Sequence, residues 1–374
     1  MLGGRSYMGI LEFLEPGSGR EPAALLRISC VFALFLALFL SHPLFAAEGD
    51  YQVQQLKPNV FAWIPDDVVD LEGDPQYSRA ATVGFVTTPQ GVVVIGASNN
   101  PLHAREVLFE IRQRTDAPVI AVIDLDADGD QVLGNEVFAE QRAQIIATAN
   151  AAIQMHAYEG QLSARSVHEP ELRAHLRGVH FTLPTQTFDR EMAIKPGNVD
   201  IRIIEENAGV SEKAGGDAVV FLPQAKIVFL GDLFDHGYVP SMDSRDIRRW
   251  ITTLGQLETW EADTFVPAHG LPGTRQDVES FRRFLQWIVS EVQARIQEGK
   301  SLRQVKQDLL TSSQFRLHAW ENVPQTLAVV YQQLLHAPAS EPGGAAKAHG
   351  SAPSAAPPKP TGADGRGSSV PGTW

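Results

Sequence analysis

The chain has 374 residues, of which 44% are hydrophobic, and a formal net charge of −13 at pH 7. This length can supply a large hydrophobic core, and the acidic balance argues against nucleic-acid binding, which needs a basic protein face. The single cysteine, Cys30, excludes an intramolecular disulfide and a cluster of thiolate metal ligands.

Residues 1–47 have the order of charged, apolar and small residues typical of a secretory signal peptide. Arg20 and Arg27 precede an uncharged apolar run, Ile28–Leu40, and the segment ends at Ala46 and Ala47. The run is shorter than the ~20 apolar residues that a membrane-spanning helix needs. We therefore expect export to the periplasm or the medium, with cleavage near Ala47 and no stable membrane span afterwards. An uncleaved membrane anchor is the alternative.

Residues 48–336 show two β-rich halves with helical segments. The first half predicts strands at Val60–Ile64, Thr82–Val86, Val92–Ile95, Val119–Ile123 and Ala143–Thr148, and helices at Pro101–Arg114, around Val137 and Phe138, and at Asn150–Tyr158. The second half predicts a hairpin around Lys195–Asn198, strands at Ala218–Leu222, Ile227–Leu230 and Thr264–Val266, and a helix at Ser244–Trp260. Such halves predict two packed sheets covered by helices. Residues 337–374, rich in Ala, Pro, Gly and Ser, predict a disordered tail.

Three segments carry candidate metal ligands. The first follows a predicted strand and reads Asp124-Leu125-Asp126-Ala127-Asp128-Gly129-Asp130-Gln131-Val132-Leu133-Gly134-Asn135. The second is Gly231-Asp232, directly after a predicted strand, and the third is Pro267-Ala268-His269-Gly270. In this order and spacing they resemble the metallo-β-lactamase superfamily, and the general resemblance is closest to its glyoxalase II-like and exported hydrolase branches. The family motif H-x-H-x-D-H-x-x-G-N becomes D-x-D-x-D-Q-x-x-G-N here.

The resemblance implies an α/β fold, the four-layer αβ/βα sandwich, with two mixed β-sheets and helices on both outer faces. It also places the functional site at the loop ends between the sheets. In that family the site holds two metal ions, so the replaced histidines bear directly on function.

The second metal position keeps its residue types by this resemblance. Asp130, Asp232 and His269 stand at ligand positions, and Gln131 stands where the motif has its third histidine. Two carboxylates, an imidazole and an amide oxygen suit a single zinc, manganese or ferrous ion. Asp130 is then the candidate catalytic residue, orienting a metal-bound water. An Asp after a strand, such as Asp232, can instead be a turn or cap residue.

The first metal position is altered throughout. Asp126 and Asp128 stand where the motif has its first two histidines, and Lys213 stands where the family has a further one. A protonated lysine cannot ligate a metal. It can neutralise two carboxylates, and we hypothesise that Lys213 replaces the first metal with an internal ion pair. If the alignment gap is placed differently, Lys213 is an exposed loop lysine.

Two functions of different classes follow from these positions. The first is an exported hydrolase that uses at most one metal ion to cleave an ester, a thioester or a lactam of unknown identity. The second is a non-catalytic pseudoenzyme that binds a small molecule or a partner protein and holds no metal. Retention of the second-site residues favours the enzyme, whereas loss of every first-site histidine favours the pseudoenzyme. We expect a degenerate site with little or no ordinary zinc hydrolase activity.

Overall fold

A computed structural model of the protein describes residues 51–66, 79–209, 216–242, 245–317 and 320–336. The expected signal peptide, the expected tail and Lys213 lie outside these residues. Seven described strands form the first sheet, in the order β1 to β7. They are β1 Tyr51–Lys57, β2 Val60–Pro65, β3 Val83–Thr88, β4 Gly91–Ile95, β5 Val119–Ile123, β6 Gln144–Thr148 and β7 Gln186–Phe188.

The second sheet has five strands, in the order β12-β11-β10-β9-β8. They are β8 Glu191–Ile194, β9 Ile201–Glu206, β10 Asp217–Leu222, β11 Ile227–Asp235 and β12 Thr264–His269. Both sheets are mixed. In the first, β1 to β4 pair antiparallel and β4 to β7 parallel. In the second, only β11 and β12 pair parallel.

Some helices connect the strands, and others come after the last strand. They are α1 Pro101–Arg112, α2 Gly129–Val132, α3 Asn135–Glu140, α4 Ala149–Ser166, α5 Pro170–His175, α6 Ile247–Leu257, α7 Arg275–Gln297, α8 Leu302–Leu309 and α9 Val323–His336. Two short 3-10 turns, Ser313–Phe315 and Trp320–Asn322, lie between α8 and α9. Among the described helices, none is both long enough and apolar enough to cross a bilayer.

Apolar side chains divide the molecule into four layers. Buried residues of both sheets form one core, in which Ile95 and Ile123 of the first sheet pack with Phe229 of the second. The outer face of the first sheet packs against α1 and α3, and the outer face of the second packs against α6, α7 and α9. The central strands of each sheet, such as β4 and β10, are mostly buried on both faces because each sheet lies between the other sheet and a helix layer. The predicted four-layer α/β sandwich is thereby confirmed.

The structure corrects several predicted boundaries. The helix predicted at Ser244–Trp260 begins at Ile247, because the Asp246 side chain accepts the backbone N–H groups of residues 248 and 249 as an N-cap. The strand predicted at Ile227–Leu230 continues to Asp235, so Asp232 lies within a strand and is not a helix cap. The sequence pattern does not predict β1, β7 or the helices α2, α5, α7, α8 and α9.

Gly84 provides space for close contact between the sheets. A Cβ atom at this position would lie 2.3 Å from Cε1 of Phe229, which crosses from the opposite sheet. We expect Gly84→Ala to lower the free energy of unfolding by about 1–3 kcal/mol, because the buried ring must shift. Gly160→Ala is the matched control, since a Cβ atom on this helical glycine would have no heavy atom within 4 Å.

The control should raise the free energy of unfolding by ~1 kcal/mol, through the higher helix propensity of alanine. Denaturant unfolding of both variants measures the two changes. Equal stability of Gly84→Ala and the parent protein would contradict this account of the contact between the sheets.

Candidate metal centre

The strands bring three of the predicted ligands together. Asp130 lies in α2, Asp232 in β11 and His269 at the end of β12, and one ligand atom of each lies within 4.8 Å of the others. Nε2 of His269 is 3.1 Å from Oδ2 of Asp130. In the described parts of the chain, this is the one group of three His, Cys, Asp or Glu side chains with that convergence. Two carboxylates and an imidazole suit a divalent ion, so the residues present fit one metal.

Glycine and asparagine of the surviving G-N pair hold the acidic loop in place. A Cβ atom on Gly134 would lie 1.9 Å from the backbone oxygen of Ala97, so no larger residue fits this approach. The Asn135 side chain donates to Oδ2 of Asp124 over 2.9 Å. Burial raises the pKa of Asp124 to about 8, although this hydrogen bond lowers it. The G-N pair therefore supports the loop and does not itself reach the candidate metal position.

Backbone hydrogen bonds position the other ends of the site. The backbone N–H of Ala97 donates to the oxygen of Gln131 over 2.7 Å, and that of Thr82 donates to Ala268 over 2.7 Å. The backbone N–H of His236 donates to the oxygen of His269 over 2.9 Å. Because rigid strand and loop ends carry the ligand residues, the side chains converge without long flexible connections.

The Gln131 side chain contacts the candidate ligand Asp232 through its amide nitrogen. Its side chain is buried, and Nε2 donates to Oδ1 of Asp232 over 3.3 Å. Its Oε1 is buried without a hydrogen-bond partner. The sequence predicted an amide oxygen as a metal ligand, whereas this arrangement makes Gln131 a support for Asp232.

The two aspartates at the altered first position differ in burial. Asp126 is buried and Asp128 is exposed. Oδ1 of Asp126 accepts the backbone N–H of Asp128 over 2.8 Å, and its Oδ2 is buried without a hydrogen-bond partner. Burial, followed by the negative charges of Asp232, Asp128 and Asp130, raises the pKa of Asp126 well above its ordinary value.

Arg245, which belongs to none of the sequence motifs, brings a buried positive charge to this region. Its Nη1 lies 2.7 Å from Oδ1 of Asp217, and both side chains are 9% exposed. Burial lowers the pKa of Arg245, but the charge of Asp217, and then those of Asp232, Asp126 and Asp128, raises it above the ordinary value. The sequence pattern did not reveal the role of Arg245, because it placed this arginine within the predicted helix Ser244–Trp260.

The charges of the site also act on His269. Burial lowers the pKa of His269, but its hydrogen bond with Asp130 and the charges of Asp235, Asp130 and Asp232 raise it to about 9. Burial raises the pKa of Asp235 to about 6, whereas the positive charges of His269 and Arg245 lower it. Each ionised group here depends on an opposite charge nearby.

An aromatic and cationic wall lies beside the histidine. The Tyr238 ring centroid is 5.8 Å from that of His269. The guanidinium carbon of Arg79 lies 5.4 Å from the Tyr238 ring centroid, and Nη2 of Arg79 lies 3.3 Å from Oε1 of Glu321. Nδ1 of His236 lies 2.7 Å from the backbone oxygen of Leu271. Arg79 and Tyr238 belong to no motif, so the motif pattern could not have identified them.

Parts of this chain are similar to known proteins in sequence or in structure. It is 22% identical over 232 residues to the linear primary-alkylsulfatase of Pseudomonas sp. (strain ATCC 19151), covering 53% of this chain and 43% of that protein. The matched region thus spans less than half of the relative. Two solved structures overlap 63% of the chain with TM-scores of 0.49. They are the metallo-beta-lactamase from Pontibacter korlensis, 19% identical and 99% covered, and the DIM-1 metallo-beta-lactamase, 15% identical and 97% covered. No protein-family model matches the sequence.

The motif spacing and the two facing mixed sheets resemble the metallo-β-lactamase superfamily, and the sequence relative is similar to about half of the chain. The branch within this superfamily stays a prediction.

Glu206 provides a test of the electrostatics next to the centre. Burial, followed by the charge of Asp217, raises the pKa of Glu206 from 4.5 to about 7. The carboxyl group therefore stays protonated in the folded protein at pH values where the unfolded chain has lost the proton. Its contribution to stability is complete below pH 4.5 and is lost as the pH rises through about 7.

We expect Glu206→Gln to raise the free energy of unfolding at pH 8 by about 1–3 kcal/mol and to change it little at pH 4. Denaturant unfolding at the two pH values measures this difference. The control is Glu261→Gln, at an exposed position. A gain that is equal at both pH values would show that burial of the Glu206 charge is not its cause.

Proposed function

We propose that the protein is an exported hydrolase that works with a single divalent metal ion. The observation that carries this proposal is the convergence of Asp130, Asp232 and His269 within 4.8 Å. Such a donor set would leave coordination positions open for water and substrate. Zinc, manganese and ferrous iron are the candidate ions.

The chemistry divides between the ion and the side chains. A divalent ion held by these residues would acidify a bound water and supply a nucleophile near neutral pH. Asp130, whose Oδ2 lies 3.1 Å from Nε2 of His269, would orient a water at the centre and could accept a proton at a carboxylate oxygen. Gln131 positions Asp232 through the hydrogen bond from its amide, and the Tyr238 ring lies beside His269.

The proposed substrate is a small molecule with a hydrolysable ester-type bond. The relative is by name a linear primary-alkylsulfatase, so sulfate monoesters of primary alcohols join carboxylic esters, thioesters and lactams as the classes to assay. Hydrolysis of a sulfate monoester adds water across the bond and releases an alcohol and hydrogen sulfate. Arg79, which lies over the Tyr238 ring and pairs with Glu321, is the cation at this wall that an anionic substrate would contact in competition with Glu321.

The second candidate is a pseudoenzyme of the same fold. The observation that favours it is the altered first position, where Asp126 is buried and Arg245 supplies a fixed positive charge. A protein of this kind would bind its ligand between the loops and release it unchanged. Metal content and turnover distinguish it from the hydrolase.

Metal content is the first test of the hydrolase. We expect elemental mass spectrometry of the purified protein to find about one divalent ion per chain. Asp232→Ala and His269→Ala should each lose the ion, because two remaining protein ligands hold a divalent ion weakly. The same proteins are then assayed on an alkyl sulfate, a carboxylic ester, a thioester and a lactam. We expect turnover of at least one class and a loss on the order of 100-fold or more in Asp130→Ala.

The control is His156→Ala, which removes an exposed imidazole on α4 and should retain both metal and turnover. A folded parent protein with no metal, or with rates equal to those of Asp130→Ala on every class, would reject the hydrolase in favour of the pseudoenzyme.

Export is a separate part of the proposal and rests on residues 1–47. The chain should be cleaved near Ala47 when it is expressed in a Gram-negative host, because the apolar run has the length of a signal peptide core. Mass spectrometry of protein from the periplasmic fraction gives the mature N-terminus. Recovery of uncleaved chain from the membrane fraction would support the anchor instead.

A further inference from the structure

A buried cation lies next to a group of carboxylates that includes those of the altered first position. Asp217 begins β10, Asp232 lies in β11, and Asp126 and Asp128 lie in the acidic loop, so the carboxylates come from separate parts of the fold. Arg245, in the segment before α6, pairs directly with Asp217 over 2.7 Å, and the charges of Asp232, Asp126 and Asp128 also act on it. Buried carboxylates such as Asp126 and Asp217 need an opposite charge, because desolvation strongly penalises an unpaired ion.

We infer that the Arg245 guanidinium takes the electrostatic role of the first metal ion, so that the chain is built for one metal and not for two. The inference rests on the proposed single-metal site and names the residue that makes the second ion unnecessary. The guanidinium has donors only and stays charged at all ordinary pH values, so it neutralises carboxylates without ligating a metal.

The surroundings of Arg245 fix it in this position. Its guanidinium carbon lies 5.1 Å from the ring centroid of Trp250, which is buried in α6. The Trp250 indole N–H in turn donates to the backbone oxygen of Leu233 over 2.9 Å. The backbone of Arg245 bridges to Gly209. An aromatic face, an ion pair and backbone contacts thus hold the cation from three sides.

The two aspartates at the first position also do not fit a metal ion. Asp128 is exposed whereas Asp126 is buried, and neither joins the converging group at His269. In the described residues, no histidine stands with them in a group that could ligate a metal. The disagreement with the dinuclear family pattern is therefore local. It affects the first metal and leaves the second intact.

The test replaces the charge of Arg245 and follows thermal unfolding of the full chain in EDTA, so that no metal contributes. We expect Arg245→Met to lower the melting temperature by on the order of 10 °C, because it leaves buried carboxylates without their cation. Arg245→Lys, which keeps the charge, should recover most of this loss. Arg248→Met is the matched control, since Arg248 is an exposed arginine in α6 and its loss should change little.

A double variant separates neutralisation of the first position from a simple ion pair with Asp217. If Arg245 neutralises Asp126, the change Asp126→Asn should restore much of the melting temperature lost in Arg245→Met, so the two effects will not add. Compensation by Asp217→Asn alone would identify an ordinary ion pair and overturn the inference. Two other results would also overturn the inference. One is an Arg245→Met variant with the same melting temperature as the Arg248→Met control, and the other is an Arg245→Lys variant with a melting temperature as low as that of Arg245→Met.

Two further variants test the inference if the first comparison is insufficient. If Arg245→Met does not fold, folding of Arg245→Met combined with Asp126→Asn supports the inference, and its failure to fold overturns it. Lys213→Met tests the rival cation suggested by the sequence motif, and a loss larger than that of Arg245→Met would overturn the assignment to Arg245. Because all melting curves are metal-free, absence of metal from the parent protein would reject the proposed hydrolase without deciding this result.

Discussion

The interaction on which the site depends is the neutralisation of buried carboxylates at one end of the sandwich. Asp126, Asp217 and Asp235 are each less than 9% exposed, and Asp232 adds its charge from the same strand as Asp235. Placing so many negative groups together is costly unless cations or protons accompany them. The fold supplies two cations, Arg245, which pairs with Asp217, and His269, which pairs with Asp130.

The sandwich architecture explains why these groups meet. Parallel strands direct the ends of β5 and β12 and the end of β11 to one edge, and the closely packed sheets keep that edge rigid. Rigid placement matters for the chemistry, because a metal centre loses its ion when its ligands move apart by even a small distance. The Arg245 guanidinium lies 5.1 Å from the ring centroid of Trp250, so the aromatic face of α6 also contacts this cation.

The sequence predicted the fold and the second-site residues because both depend on local patterns. Alternating apolar runs indicated the strands, and the spacing of the acidic loop, Gly231-Asp232 and His269 indicated the ligand set. Arg245 could not be predicted in the same way. Its role arises from an ion pair with Asp217, 28 positions away in the chain, and from a helix that begins after it instead of before it. The loop that contains Lys213 lies outside the described residues, so the proposed role of that lysine stays a prediction.

Replacement of a metal by a guanidinium restricts the reaction that the site can support. A guanidinium stabilises negative charge, but it offers no coordination position on which a water could be acidified. In the proposed hydrolase, any nucleophile must then form at Asp130, Asp232 and His269, where one carboxylate has to serve both as a ligand and as a proton acceptor. Arg245 is buried and paired with Asp217, so its charge offsets the carboxylates of the protein and does not reach the substrate. The one metal ion would therefore be the main positive charge available to an anionic substrate in the proposed site, which is the physical reason to assay sulfate esters before uncharged lactams.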